Sequence, residues 1–159
     1  MPELSALHVT REAVFASFRD LFIVVWRTQT TVPLVRTMGG DVERFAATQP
    51  NGISMVVIVE EHCAMPDGPT RALMAKDMKR HESFTRQMAL VYEGSGFRAA
   101  ALRSIVAGLH VISTQRVKTT VLSTAADAVD WLAWQRGSSA SASEMLEAIV
   151  QARATSSSP

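Results

Sequence analysis

The chain is short of the features that announce a specialised class of protein. One cysteine, Cys63, stands among 159 residues, which excludes an intramolecular disulfide framework and fits a reducing cytoplasm. No uncharged apolar run approaches the roughly 18 residues of a membrane-spanning helix, so no membrane insertion is expected. Residues 1–10 lack a basic region followed by an apolar core and do not read as a signal peptide. Neither sign of charge is in excess. The net charge of +1 at pH 7 gives no reason to expect nucleic acid or an anionic membrane as a partner. No internal repeat is visible. The expectation is a soluble cytoplasmic domain, with 47% hydrophobic residues to build a sizeable core.

What is present is organised around residues 53–70, ISMVVIVEEHCAMPDGPT. Ile53–Val59 is a continuous apolar run, rich in β-branched residues and too short for a buried helix. A strand covered by helices on both faces has this character. The run stops at Glu60, Glu61, His62 and Cys63, turns through Pro66-Asp67-Gly68-Pro69, and reads as helix over 70–84. Ligands and partners of open α/β sheets bind beyond the carboxyl ends of the strands, which makes this loop the expected site.

The rest of the chain falls into place around that strand. Residues 1–12 read as an arm with little structure of its own. Ala13–Phe18 and residues 21–27 form an antiparallel hairpin across Arg19-Asp20, without the favoured Asn-Gly or Asp-Gly turn. Thr31 or its neighbour caps a helix with Pro33 in its first turn and Leu34, Val35, Met38, Val42 and Phe45 at helical spacing. Gly39-Gly40 inside it predicts a bend or a close packing contact. Residues 86–92 are the next strand, 97–112 a helix with Ala99, Leu102, Ile105, Val106 and Leu109 as its apolar stripe, and 117–122 an edge strand. Ser123 or Thr124 caps a helix over 125–135. The order β-β-α-β-α-β-α-β-α implies an α/β fold with a mixed, mainly parallel sheet and right-handed crossovers. Residues 138–143 read as a Ser-rich linker, 144–153 as an amphipathic helix with Met145, Leu146, Ile149 and Val150 on one face, and 154–159 as a disordered tail.

Few residues carry chemistry. Thr70 and Asp67 stand at a helix start that would tolerate a phosphate, although capping alone accounts for both residue types. Gly94-Ser95-Gly96 precedes another helix but lacks the spacing and the Lys-Ser/Thr pair of a phosphate-binding loop. Glu60, Glu61, His62 and Cys63 mix metal-ligand and nucleophile types. Zinc needs three or four ligands, and His81 and His110 fall on separate helices, so no metal and no cofactor is expected. Adjacent strand residues point to opposite faces, which sets His62 against activating Cys63; a thiol-dependent enzyme through Cys63 is the lesser alternative. Trp131 belongs to the core, while Trp134, near its helix end, fits an exposed patch. Arg71, Lys76, Lys79 and Arg80 make a basic helix face interrupted by Asp77 and Glu82.

Residues 13–137 resemble the STAS-like family of the bacterial anti-sigma-factor-antagonist type, and more broadly a STAS/CRAL-TRIO-like architecture. The resemblance rests on the apolar strand 53–59 with its loop and helix, on the strand-turn-helix containing YEGSGFRAA, and on the closing VLSTAADAVDWL. It implies a non-enzymatic regulatory module, a signalling or scaffold component that binds a protein partner, a regulator or a kinase-like one. Glu60, Glu61, His62, Asp67, Thr70, Arg71, Met78, Lys79 and Trp134 are the expected partner surface. Phosphorylation at Thr70 or Ser95 is a further expectation; the Asp-Ser-x-Gly-type motif of switched antagonists is not matched at Pro66-Asp67-Gly68-Pro69-Thr70. A homo-oligomer through residues 144–153 fits the same observations. The alternative is a carrier or sensor of an apolar small molecule in a sheet–helix crevice, suggested by Met38, Met74, Met78 and Met88.

Overall fold

The computed structural model describes residues 3–113, 117–135 and 139–156, the side chains of 106 and 109–113 excepted. Six strands, β1 (Ser5–Val9), β2 (Ala13–Phe18), β3 (Leu21–Trp26), β4 (Ile53–Val59), β5 (Thr85–Tyr92) and β6 (Lys118–Leu122), form one sheet in the order β1-β2-β3-β4-β5-β6. The first three are antiparallel, and β3 to β6 run parallel. The α/β class and the mainly parallel mixed sheet are as expected. Helices α1 (Val32–Ala46), α2 (Gly68–Arg80) and α3 (Gly96–Ser113) make the crossovers, while α4 (Ala125–Trp134) and α5 (Ala142–Ala154) follow β6.

Two cores sandwich the sheet. Alternation along β4 sends Met55, Val57 and Val59 to the front face, covered by α1, α2 and α3, and Val56 and Ile58 to the back face, covered by α4 and α5. Strict neighbour-to-neighbour strand order explains why the three crossover helices share a face. Each parallel step goes the same way along the sheet, and right-handed connections then all rise on one side. The parallel strands therefore contain no point where successive crossovers part to opposite faces. The crevice that usually seats a ligand beyond the strand ends depends on such a parting.

Three expectations need correction. The arm 1–12 contains β1, which pairs with β2 through Ser5, Ala6, His8 and Val9 around a register shift between Ala6 and His8. An exposed, bulged edge strand carries little hydrophobic alternation. Helix α2 spans Gly68–Arg80 rather than 70–84, because Asp67 caps it and Pro69 suits its first turn, while buried His81 packs on Phe84 beyond its end. Residues 144–153 are no detachable appendage. Helix α5 begins at Ala142 with Ser141 and Glu144 in a capping box, and Met145, Ala148, Ile149 and Ala152 are buried on β2 and β3. Val150, assigned to that face, is exposed. Within the expected linker, Ala140 is buried and the Ser139 amide and hydroxyl donate to the Asp20 carboxylate at 3.1 Å. Gly137, Ser138, the side chains of Val106, Leu109 and His110, and the end of the tail lie outside what is described.

The expectation at Gly39-Gly40 has a geometry. Helix α1 runs unbroken, and a Cβ on Gly39 would lie 3.2 Å from an Asp77 carboxylate oxygen, so the glycine admits α2. Gly52, before β4, has φ +83°, and a Cβ there would meet the Phe84 carbonyl oxygen at 2.7 Å. Gly52→Ala combines a left-handed backbone with a backbone clash. We expect a loss of about 2–3 kcal/mol, read by urea denaturation.

Candidate functional site

The carboxyl edge of the parallel strands, the expected site, is a structural clasp. Glu60 follows β4 and Glu93 follows β5. Arg153, near the end of α5, reaches both, at 2.8 Å and 2.5 Å. Hydrogen bonding to Glu93 raises the Arg153 pKa further, so the guanidinium stays charged. In return Arg27, just past β3, donates to the carbonyls of Arg153 and Thr155 at 2.8 Å and 2.9 Å, satisfying the end of α5. Glu60 is thereby committed to holding α5. Glu61 and His62 are exposed beside it.

Cys63 points the other way. Its side chain is 1% exposed and its thiol donates weakly to the Ala64 carbonyl at 3.6 Å. Arg98 of α3 pins the turn by donating to the Cys63 carbonyl at 2.9 Å. Burial pushes the Cys63 thiol up, outweighing a hydrogen bond with Thr30 and the Arg98 charge, which pull it down. The nucleophilic thiolate is thus disfavoured in the folded state. At pH 8 we expect native protein to react with a maleimide on the order of 100-fold more slowly than urea-unfolded protein. Equal rates would restore Cys63 as a reactive group.

The other expected residues scatter. Asp67 accepts from the Thr70 amide at 2.9 Å, and hydrogen bonds from Thr70 hold its carboxyl below the usual range. Thr70 itself is 1% exposed, so its hydroxyl is not presented to a modifying enzyme. Ser95 is exposed in the turn before α3. Arg71 and Lys79 are exposed on α2, and Arg71 donates to the Pro66 carbonyl at 3.3 Å. Met78 is half-buried and faces inward, away from a partner surface. Trp134 is 82% exposed on the opposite side of the molecule, at the end of α4. These residues do not form one site.

What does converge is methionine. Between the sheet and the helices α1 and α2 lies a cavity of about 90 Å³, walled by Met38, Met55, Met74, Met78 and Met88. Trp26, with its ring edge on Phe15, closes one side. A second space of about 40 Å³ lies under the 64–66 loop and shares the walls Trp26, Val57, Met74 and Leu90. The polar groups on the larger cavity are Asp77, His81 and Thr85, all at least nine-tenths buried. Arg80 holds Asp77 at 2.9 Å, and His81 Nε2 lies 3.1 Å from Glu43. The Thr85 hydroxyl is buried with no hydrogen-bond partner among the described residues.

Four of those methionines are the ones that suggested a small-molecule site. Sequence reading missed Met55, Trp26 and Thr85. Met55 carried a signal, an unbranched residue amid Val and Ile, and it lies directly beside Met88 on β5. Nothing along the chain marked Thr85. Comparison with known proteins finds no match among family models, curated proteins or solved structures. Among the described residues no helix is long and apolar enough to cross a membrane.

Proposed function

We propose that this protein is a non-enzymatic binding module that holds a small, mostly apolar molecule in the methionine-lined cavity and acts as its carrier or sensor. The observation that carries this reading is the unpartnered Thr85 hydroxyl at the wall of an otherwise apolar space. An unsatisfied buried hydroxyl costs about 1–3 kcal/mol, and a ligand with one polar group would relieve that cost. Apolar cavities of about 150 Å³ stay dry and accept benzene-sized molecules. Five flexible methionines let a somewhat smaller space widen around a ring or a short acyl segment. The buried Cys63 thiol, its pKa raised by burial, supports a packing role for that residue, and the use of a single cysteine fits a cytoplasmic setting.

Phenol and toluene differ by one hydroxyl and separate the parts of this reading. Phenol is expected to bind several-fold more tightly than toluene, measured by titration calorimetry. Thr85→Val is expected to raise unfolding stability by about 1–2 kcal/mol and to abolish the preference for phenol. No binding of either molecule, together with no small molecule released on denaturing the protein purified from its own cells, sinks the proposal.

A regulatory module that binds a protein, as the STAS-like resemblance implies, has its own support in the exposed Glu61, His62, Arg71 and Lys79 near the start and along the outside of α2. Ser95 is the accessible one of the two expected phosphorylation positions. The two readings combine naturally, since α2 borders the cavity on one side and solvent on the other.

A further inference from the structure

The near-neutral chain is strongly polarised. Helices α2 and α3 carry six Lys and Arg residues and a single acid, Asp77, whereas α4 and α5 carry four acids and a single base, Arg153. These helix pairs cover opposite faces of the sheet. Asp77 and Arg153 are both occupied by internal ion pairs. The exposed charge on α2 and α3 is therefore basic and that on α4 and α5 acidic, while α1, on the same face as α2 and α3, is balanced, with Arg36 and Arg44 against Asp41 and Glu43.

Each face also has an apolar element of matching shape. Between α2 and α3 runs an open groove of about 970 Å³, with Ala72, Ala75, Ile105 and Gly108 in it and Lys76 and Lys79 along its edge. Small residues there leave room for a bulky side chain. On α4, Asp127, Asp130 and Trp134 are all exposed and recur at i, i+3 and i+7, a single stripe down one side of the helix. Trp134 is 82% exposed, and tryptophan is among the residues most enriched in interface anchors. Lys76 and Lys79 are themselves i, i+3, the spacing of Asp127 and Asp130. None of these four makes an ion pair among the described residues.

We infer that copies of this chain associate head to tail, the α4 stripe of one copy lying in the α2–α3 groove of the next. Trp134 fills the small-residue floor while Asp127 and Asp130 pair with Lys76 and Lys79. The two surfaces differ and lie on opposite faces, so the contact is heterologous and extends beyond a dimer or closes a ring. This inference is independent of the cavity and of its ligand.

Sedimentation equilibrium of the full chain tests it. At low salt the weight-average mass is expected to climb from 17.3 kDa past that of a dimer as concentration rises through about 0.1 mM. At about 0.5 M NaCl it is expected to fall back toward the monomer, because exposed charge pairs are screened. Trp134→Ala is expected to weaken association at least tenfold. The double variants Asp127→Lys/Asp130→Lys and Lys76→Glu/Lys79→Glu are each expected to remain monomeric, and an equimolar mixture of the two to associate again. That rescue excludes misfolding of either variant as the cause. Glu3→Lys/Glu61→Lys, which makes the same charge change elsewhere, is expected to keep the self-association. A monomer at every concentration, or association that either double variant retains, overturns the inference; the former would leave an acidic helix of another protein as the occupant of the groove.

Discussion

A chain ending at Gln135 is expected to lose its cooperative fold. Helix α5 buries Met145, Ala148, Ile149 and Ala152, all 3% exposed or less, against the back of β2 and β3. Removing it uncovers Val14, Ala16, Phe18, Leu21, Ile23 and Val25, a set of side chains that are now 5% exposed or less. Each large apolar side chain transferred back to water costs about 1.5–3 kcal/mol. A handful of them equals the whole stability of about 5–15 kcal/mol that a typical domain has. The clasp of Arg153 on Glu60 and Glu93 would go as well. The truncated protein should bind 8-anilinonaphthalene sulfonate and show no sharp thermal transition by circular dichroism. Ile149→Ala in the full chain is the milder version, with an expected loss of about 2–5 kcal/mol. A fragment 1–135 that melts cooperatively near the full chain's Tm would mean that α5 is an accessory.

Trp26→Ala is expected to be the most damaging single substitution in the front core and also the most informative. Trp26 is 2% exposed, stands edge-on to Phe15 with ring centroids 5.4 Å apart, and walls both spaces under the helices. Replacing a buried tryptophan by alanine costs about 3–5 kcal/mol, part of it as a cavity term that persists because neighbours relax incompletely. Here the removed indole lines both spaces, of about 90 and 40 Å³, so the substitution is expected to merge them. The variant should melt well below the wild type, and millimolar indole should restore part of the lost stability by occupying the merged space. Indole that leaves the variant's Tm unchanged would show that the site collapses when emptied, and that the front core does not hold an open apolar space.

The elements were legible wherever one local rule decided them. Val56 and Ile58 on one face and Met55, Val57 and Val59 on the other need no alternating pattern, which is why an unbroken apolar run read correctly as a two-sided strand. Thr31, Asp67 and Thr124 cap their helices by accepting from the amide three residues on, as their types and positions implied. Strand β1 was not legible, because an edge strand with Ser5, Ala6 and Leu7 exposed shows no buried periodicity. The loop at Glu60 looked like a site because a charged cluster after a buried strand resembles one. Its actual partner, Arg153, lies 93 residues further on.

The sequence alone therefore determined the class of fold, the positions of most elements and the presence of methionine at helical spacing. These follow from periods of two and 3.6 residues and from capping chemistry, which act over a few neighbours. Tertiary structure decided the rest. It set which face each helix covers, turned a charged cluster into a clasp, gathered methionines from two helices and two strands around Thr85, and parted positive from negative helices across the sheet. Those outcomes depend on strand order and crossover hand, which bring together residues that no local pattern relates.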